Sequence, residues 1–135
     1  MTSDQSKSQL VSALTQLTTE EKITWQLRTK NSLSTPITNT SYYSDFFYET
    51  SFSEKIFILF KNSPKNIMQL GITLTNINTY EKYILVAINK QTGKEELNIQ
   101  GKFLQSLYAT VNKKIGDQET MISDIIKEAK KLLDS

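Results

Sequence analysis

Tyr83-Ile84-Leu85-Val86-Ala87-Ile88, followed by Gln91-Thr92-Gly93 and then by Phe103, Leu104, Leu107, Tyr108, Val111 and Ile115, is the stretch whose reading decides the fold. A run that is apolar at both parities predicts a strand covered on both faces, and spacings of three and four predict a helix with one buried stripe. Gln91-Thr92-Gly93 supplies a turn after the strand. Strand and helix are expected to pack together. Between them, Glu95, Leu97 and Ile99 suit either a short last strand or the beginning of the helix, which is placed near Gly101 or Lys102.

Working outward, Met1 to Ser8 is polar and expected to be disordered. Leu10, Val11, Leu14 and Leu17 then repeat at helical spacing, with Ser6 or Ser8 as N-cap, so a first helix is predicted over about Ser6 to Leu17. Ile23, Trp25 and Leu27 alternate with Thr24, Gln26 and Arg28, the pattern of a half-buried strand in which Trp25 anchors the core. Residues 31–41 are rich in Ser, Thr and Asn and contain Pro36, which predicts an exposed loop. Tyr42-Tyr43-Ser44-Asp45-Phe46-Phe47-Tyr48-Glu49-Thr50 concentrates aromatic side chains that fit a pleated surface, and it is read as a strand. Lys55 to Lys61 is a further strand, apolar at both parities, with a lysine at each end against edge pairing. Met68, Leu70, Ile72 and Leu74 alternate with polar residues as a one-sided strand.

Beyond Ile115, Gly116 suits the left-handed position that closes a helix, and Asp117 suits the N-cap of the next. The expected result is a C-terminal helical hairpin whose last helix buries Met121, Ile122, Ile125, Ile126, Ala129, Leu132 and Leu133. The whole is a single α+β domain over residues 1–135: an antiparallel meander of five or six strands, one N-terminal helix and the hairpin. No internal repeat or domain boundary interrupts it. At 135 residues and 38% hydrophobic content, the chain is long enough to bury a core without covalent staples.

Composition removes whole classes of chemistry. Cysteine and histidine are both absent. That leaves no disulfide, no thiolate or imidazole metal site, no Cys–His or Ser–His nucleophile and no histidine acid or base. Paired carboxylates at Glu20-Glu21, Asp45 with Glu49, and Glu95-Glu96 have no recognisable cleft around them and are read as solvated. Gln91-Thr92-Gly93-Lys94 lacks the first glycine and the trailing hydroxyl of a phosphate loop. No enzymatic activity, metal or cofactor is expected. Basic and acidic residues number 16 and 14, interspersed, and Arg28 is the only arginine, so nothing implies a polyanionic partner or base reading. The amino end does not read as a secretory signal, and the longest apolar runs, Ile56 to Phe60 and Tyr83 to Ile88, fall far short of the ~20 residues that span a bilayer. A soluble, cytoplasmic protein is expected.

Two candidate sites follow. Three helices cover about one face of a sheet this wide. Either one helix crosses to the second face, or apolar surface on the Tyr42, Ile56 and Tyr83 strands is left for a partner. The second solution makes Tyr42, Tyr43, Phe46, Phe47 and Tyr48 the candidate protein interface of an adaptor, accessory or regulatory protein that binds another protein or itself as a homodimer. The alternative is a nucleic-acid-binding accessory protein that uses Lys113, Lys114, Lys127, Lys130 and Lys131 of the last two helices.

The leucine-bearing first helix, Thr19-Glu20-Glu21-Lys22-Ile23-Thr24-Trp25, the later strand ending in a glycine turn and Leu104-Gln105-Ser106-Leu107-Tyr108 together resemble a group of small uncharacterised bacterial α+β proteins. This chain departs from the pattern at Glu21, near which the group is expected to carry glycine. The resemblance implies a bacterial or mobile-element origin, beside a partner gene in a defence or toxin-type operon, and it carries no catalytic residue across.

Overall fold

The computed structural model describes residues 4–35, 44, 46–62 and 82–134. Within them the chain runs α1 (Asp4–Thr19), β1 (Gln26–Arg28), β2 (Phe47–Phe52), β3 (Lys55–Asn62), β4 (Lys82–Asn89), β5 (Glu95–Gln100) and α2 (Gln105–Leu133). The strands form one sheet in the order β1-β2-β3-β4-β5, every neighbour antiparallel. This is the α+β meander that the alternating and two-sided apolar runs predict. The expected strand through Met68, Leu70, Ile72 and Leu74 lies outside the described residues, as do Tyr42 and Tyr43.

Helix α1 begins at Asp4, inside the stretch expected to be disordered; its acidic first turn complements the positive end of the helix dipole. It closes in a Schellman turn, in which Lys22 N–H donates to the Leu17 carbonyl at 2.8 Å and Glu21 N–H to that of Thr18 at 3.1 Å. Glu21 takes the left-handed conformation there, with φ of 60°. That region ordinarily favours glycine.

Of the strand predicted through Ile23, Trp25 and Leu27, only Gln26–Arg28 joins the ladder, and Trp25 lies buried just before it. Its indole N–H donates to Thr18 Oγ1 at 2.9 Å, and that hydroxyl donates to the Leu14 carbonyl at 2.7 Å. Trp25 is therefore a core anchor whose one polar atom is satisfied. The segment Glu95–Gln100, for which the sequence allows strand or helix, is strand β5. The β4–β5 hairpin turns at Gly93, φ 73°, whose N–H donates to the Asn89 carbonyl at 2.8 Å. The Gly93-Lys94 step is thus a strand turn.

Register aligns Leu27, Tyr48, Leu59, Leu85 and Ile99 in a row across all five strands. From Tyr48 onward this row is buried beneath Val11 and Leu14 of α1, Leu104 just before α2, and Leu107 and Val111 in its first turns. The opposite parity forms a second cluster of Phe47, Ile56, Ile58, Phe60, Ile84, Val86 and Ile88, none more than 8% exposed, against which Leu33 packs. This corrects the expectation of an open apolar patch on the second face. Both helices lie on the first face, so neither crosses, yet the two-sided strands are buried on both sides as their composition requires.

The predicted C-terminal hairpin is also corrected: α2 is one helix of 29 residues that passes through Gly116 without a turn. Gly116 keeps a helical backbone and lacks the positive φ seen at Gly93. A single glycine in a helix costs only about 1 kcal/mol, which the flanking turns offset.

Candidate functional site

The described residues of the aromatic strand bury most of their aromatic surface. Phe46 is 41% exposed at the entrance to β2, whereas Phe47 and Tyr48 are each 2% exposed on opposite faces of the sheet. Phe47 packs edge-on against Phe60 with ring centroids 5.0 Å apart. Tyr48 lies beneath α2, 5.4 Å from Tyr108, which is 5.1 Å from Tyr83. The Tyr48 hydroxyl donates to Asn112 Oδ1 at 2.5 Å. Presenting Phe47 and Tyr48 to a partner would require opening both cores, and the reading that placed them at an interface is corrected. Burial, and then the neighbouring Tyr48, raise the Tyr108 phenol from its ordinary 10.0 to about 12; burial also raises Tyr48. These phenols stay protonated throughout the neutral range. They serve as packing and hydrogen-bonding groups there.

Glu49 departs from the solvated reading. Only 7% exposed, it accepts from the Ser34 backbone N–H at 2.8 Å and the Ser34 hydroxyl at 2.7 Å, and Arg28 Nε approaches to 3.7 Å. The carboxylate holds the chain that follows β1 against β2, and its bonds to Ser34 satisfy a buried acceptor. No local pattern marks it, because Ser34 and Arg28 meet Glu49 only through the fold. Glu20, Glu21, Glu95 and Glu96 are exposed, as expected. The Glu96 carboxyl is held below its usual range by its hydrogen bond to Lys55, with which it forms an ion pair. Among the described residues, no group of carboxylates is placed to hold a metal ion.

The candidate nucleic-acid lysines do not form one track. Lys114 turns toward the body, where its Nζ lies 3.2 Å from Glu21 Oε1. At 3.6 residues per turn Lys113, Lys127 and Lys131 share a side of α2, but Asp117 and Asp124 fall between them on that side, and Lys113 is ~21 Å from Lys127 along the axis. Lys130 and Lys131 occupy the last turn, where cations complement the helix dipole.

The exposed apolar surface lies elsewhere. Every residue of α2 from Gly116 onward is exposed. In that half Met121 is 57% exposed, Ile122 45%, Ile125 58%, Ile126 49%, Leu132 77% and Leu133 83%. The sequence predicts these same side chains as a buried stripe, and the structure corrects that: without a turn at Gly116 the helix cannot fold back onto the body. At ~100° per residue they span about 140° of the helix surface, wider than a simple coiled-coil seam and typical of a helix face made to be covered. Leu104, Leu107, Val111 and Ile115 fall within the same arc, so one continuous apolar face is buried along its first half and bare along its second. At the junction, a cleft of ≈ 470 Å³ opens between the end of α1 and α2, lined by Ile23, Trp25, Ile115 and Met121, with Glu21 and Asp117 beside them.

No helix of the described residues is long and apolar enough to cross a membrane. No protein-family model matches the chain, and neither a curated protein nor a solved structure similar to it is found.

Proposed function

We propose that this chain is a non-enzymatic protein-binding module, of the adaptor or accessory kind, which offers the apolar stripe Met121, Ile122, Ile125, Ile126 and Leu133 to a helical surface of a partner. One observation carries the reading: an apolar face wide enough for a core helix continues past the body of the domain with its large side chains about half or more exposed. A patch of this kind is costly in water and marks an interaction site. Wide helical stripes with anchors at i, i+3, i+4 and i+7 are read by apolar grooves and by other helices. The polar side of the same segment, Thr120, Asp124, Lys127 and Lys131, keeps the helix hydrated while the stripe is covered.

The test is a photo-crosslinking amino acid placed at position 125, in the stripe, or at position 127, on the opposite side, in cells that produce the protein. Position 125 is expected to yield a protein adduct that position 127 does not. No adduct from 125, or equal adducts from both, would sink the proposal.

A further inference from the structure

We infer that the partner is a second copy of this chain, paired antiparallel through the second half of α2; the inference rests on the protein-binding reading above. The charge sequence sets the direction. From Asp117 to Asp124 the exposed helix carries Asp117, Glu119 and Asp124 and no base, whereas from Lys127 to Lys131 it carries Lys127, Lys130 and Lys131 against Glu128 alone. A parallel pair of copies would set acid beside acid and base beside base. Reversed, the acidic half of each helix lies along the basic half of the other, and like-charge juxtaposition is avoided.

The cleft at the root of the exposed segment points the same way. Its lining couples apolar side chains, Ile23, Ile115 and Met121, with two carboxylates, Glu21 and Asp117, against one base, Lys114. Glu21 is only partly neutralised by Lys114, in a pair that leaves the glutamate side chain 78% exposed. The tip of α2 has the complementary chemistry, with Leu133 at 83% exposure and two bases, Lys130 and Lys131, against one acid, Asp134. A molecule cannot fill its own cleft, because ~21 Å of straight helix separates Asp117 from Lys131. Two copies can. When the helices overlap about a two-fold axis near residues 124 and 125, the tip of each reaches the cleft of the other, and the contact closes on itself as an isologous dimer. The exposed apolar side chains leave on the order of 700 Å² per copy to be covered, near the ~800 Å² per partner of a standard stable interface.

Sedimentation equilibrium on the full chain, with two single-cysteine variants for spin labelling, decides the matter. The native chain has no cysteine, so Ser123→Cys and Asp134→Cys report alone. An antiparallel dimer places the two labels at position 123 ~5 Å apart along the axis and those at position 134 ~28 Å apart, whereas a parallel dimer keeps both pairs at the ~10 Å interaxial distance. Ile125→Asp with Ile126→Asp is expected to weaken association at least ~100-fold, as loss of central anchors does. Lys130→Glu with Lys131→Glu is expected to weaken it ~3- to 30-fold, recovered when Glu21→Lys and Asp117→Lys are added, the signature of complementary charge. All substituted positions are exposed, and unchanged circular dichroism verifies the fold. A monomer at every concentration, or label distances of the parallel kind, overturns the second-copy inference, and the photo-crosslink at position 125 then judges the protein-binding reading by itself. A dimer indifferent to the Ile125 and Ile126 changes likewise overturns the second-copy inference.

Discussion

The two halves of α2 carry the same periodic apolar pattern and meet opposite fates. Leu107 and Val111 are completely buried, while Ile122, Ile125 and Ile126, about two to three turns past Gly116, are 45–58% exposed. Spacing of three and four residues therefore specifies which side of a helix wants cover. It does not specify which surface provides that cover. In the first half the sheet and α1 provide it within the chain; in the second half no described element of the chain does.

The largest expected effect is a contrast between matched truncations. Leu107→Ala removes a side chain from the centre of the first cluster and is expected to cost about 2–5 kcal/mol of unfolding free energy. Ile125→Ala, of similar size on the same helical face, is expected to leave the stability of the monomer within about 0.5 kcal/mol. Urea unfolding at concentrations low enough to keep the chain monomeric compares them. A loss of more than 2 kcal/mol at Ile125 would mean that the second half is packed against the body after all.

Gly116 tests the junction, with a smaller effect. A Cβ placed there meets no atom within 4 Å, and the backbone is helical. Gly116→Ala is accordingly expected to stabilise by about 0.5–1 kcal/mol, through helix propensity and the lower freedom of the unfolded chain. A hairpin that needed a left-handed residue at Gly116 would instead be destabilised. The sign of the change in the same urea experiment separates a continuous helix from a folded one.

Gly116 is also where reading by sequence stops. Two-sided strands such as Ile56 to Phe60 and Tyr83 to Ile88 identify themselves, because a run apolar at both parities has only one environment that suits it. The meander order follows from short links, and Trp25 as an anchor from its place in an alternating segment. Gly116-Asp117 is different: the pair scores as a cap and an N-cap, yet the propensity penalty of one glycine is small enough for the flanking turns to override. Glu21 is the converse case, a charged residue in a left-handed position where glycine is the usual signal. Glu49 is illegible for another reason. Its partners, Ser34 and Arg28, are brought to it by the turn of the chain between β1 and β2, and nothing in the local pattern of the aromatic strand distinguishes it from a solvated acid. The site followed from the same error as the fold: a helix read as folded back hides its stripe, and the aromatic strand then becomes the remaining candidate.

The smallest effect is absent at neutral pH and appears only in alkali, where it marks the docked half of α2 alone. Tyr108 lies in that half, and burial raises its phenol to about 12 from an ordinary 10.0. The folded chain thus retains a proton that the unfolded chain releases. Stability linked to this group is fully present below pH 10 and is lost as the pH rises from 10 through about 12. Absorbance at the tyrosinate band should show a phenol ionising near pH 12 in the native protein that Tyr108→Phe lacks and that moves to about 10 in urea. Melting curves across the same pH range are compared with those of Tyr108→Phe, in which the alkaline loss of melting temperature should shrink. An equal loss in the variant would mean that the Tyr48, Tyr83 and Tyr108 cluster is open to solvent, and that the first half of α2 is less firmly seated on the sheet than the contrast with its second half requires.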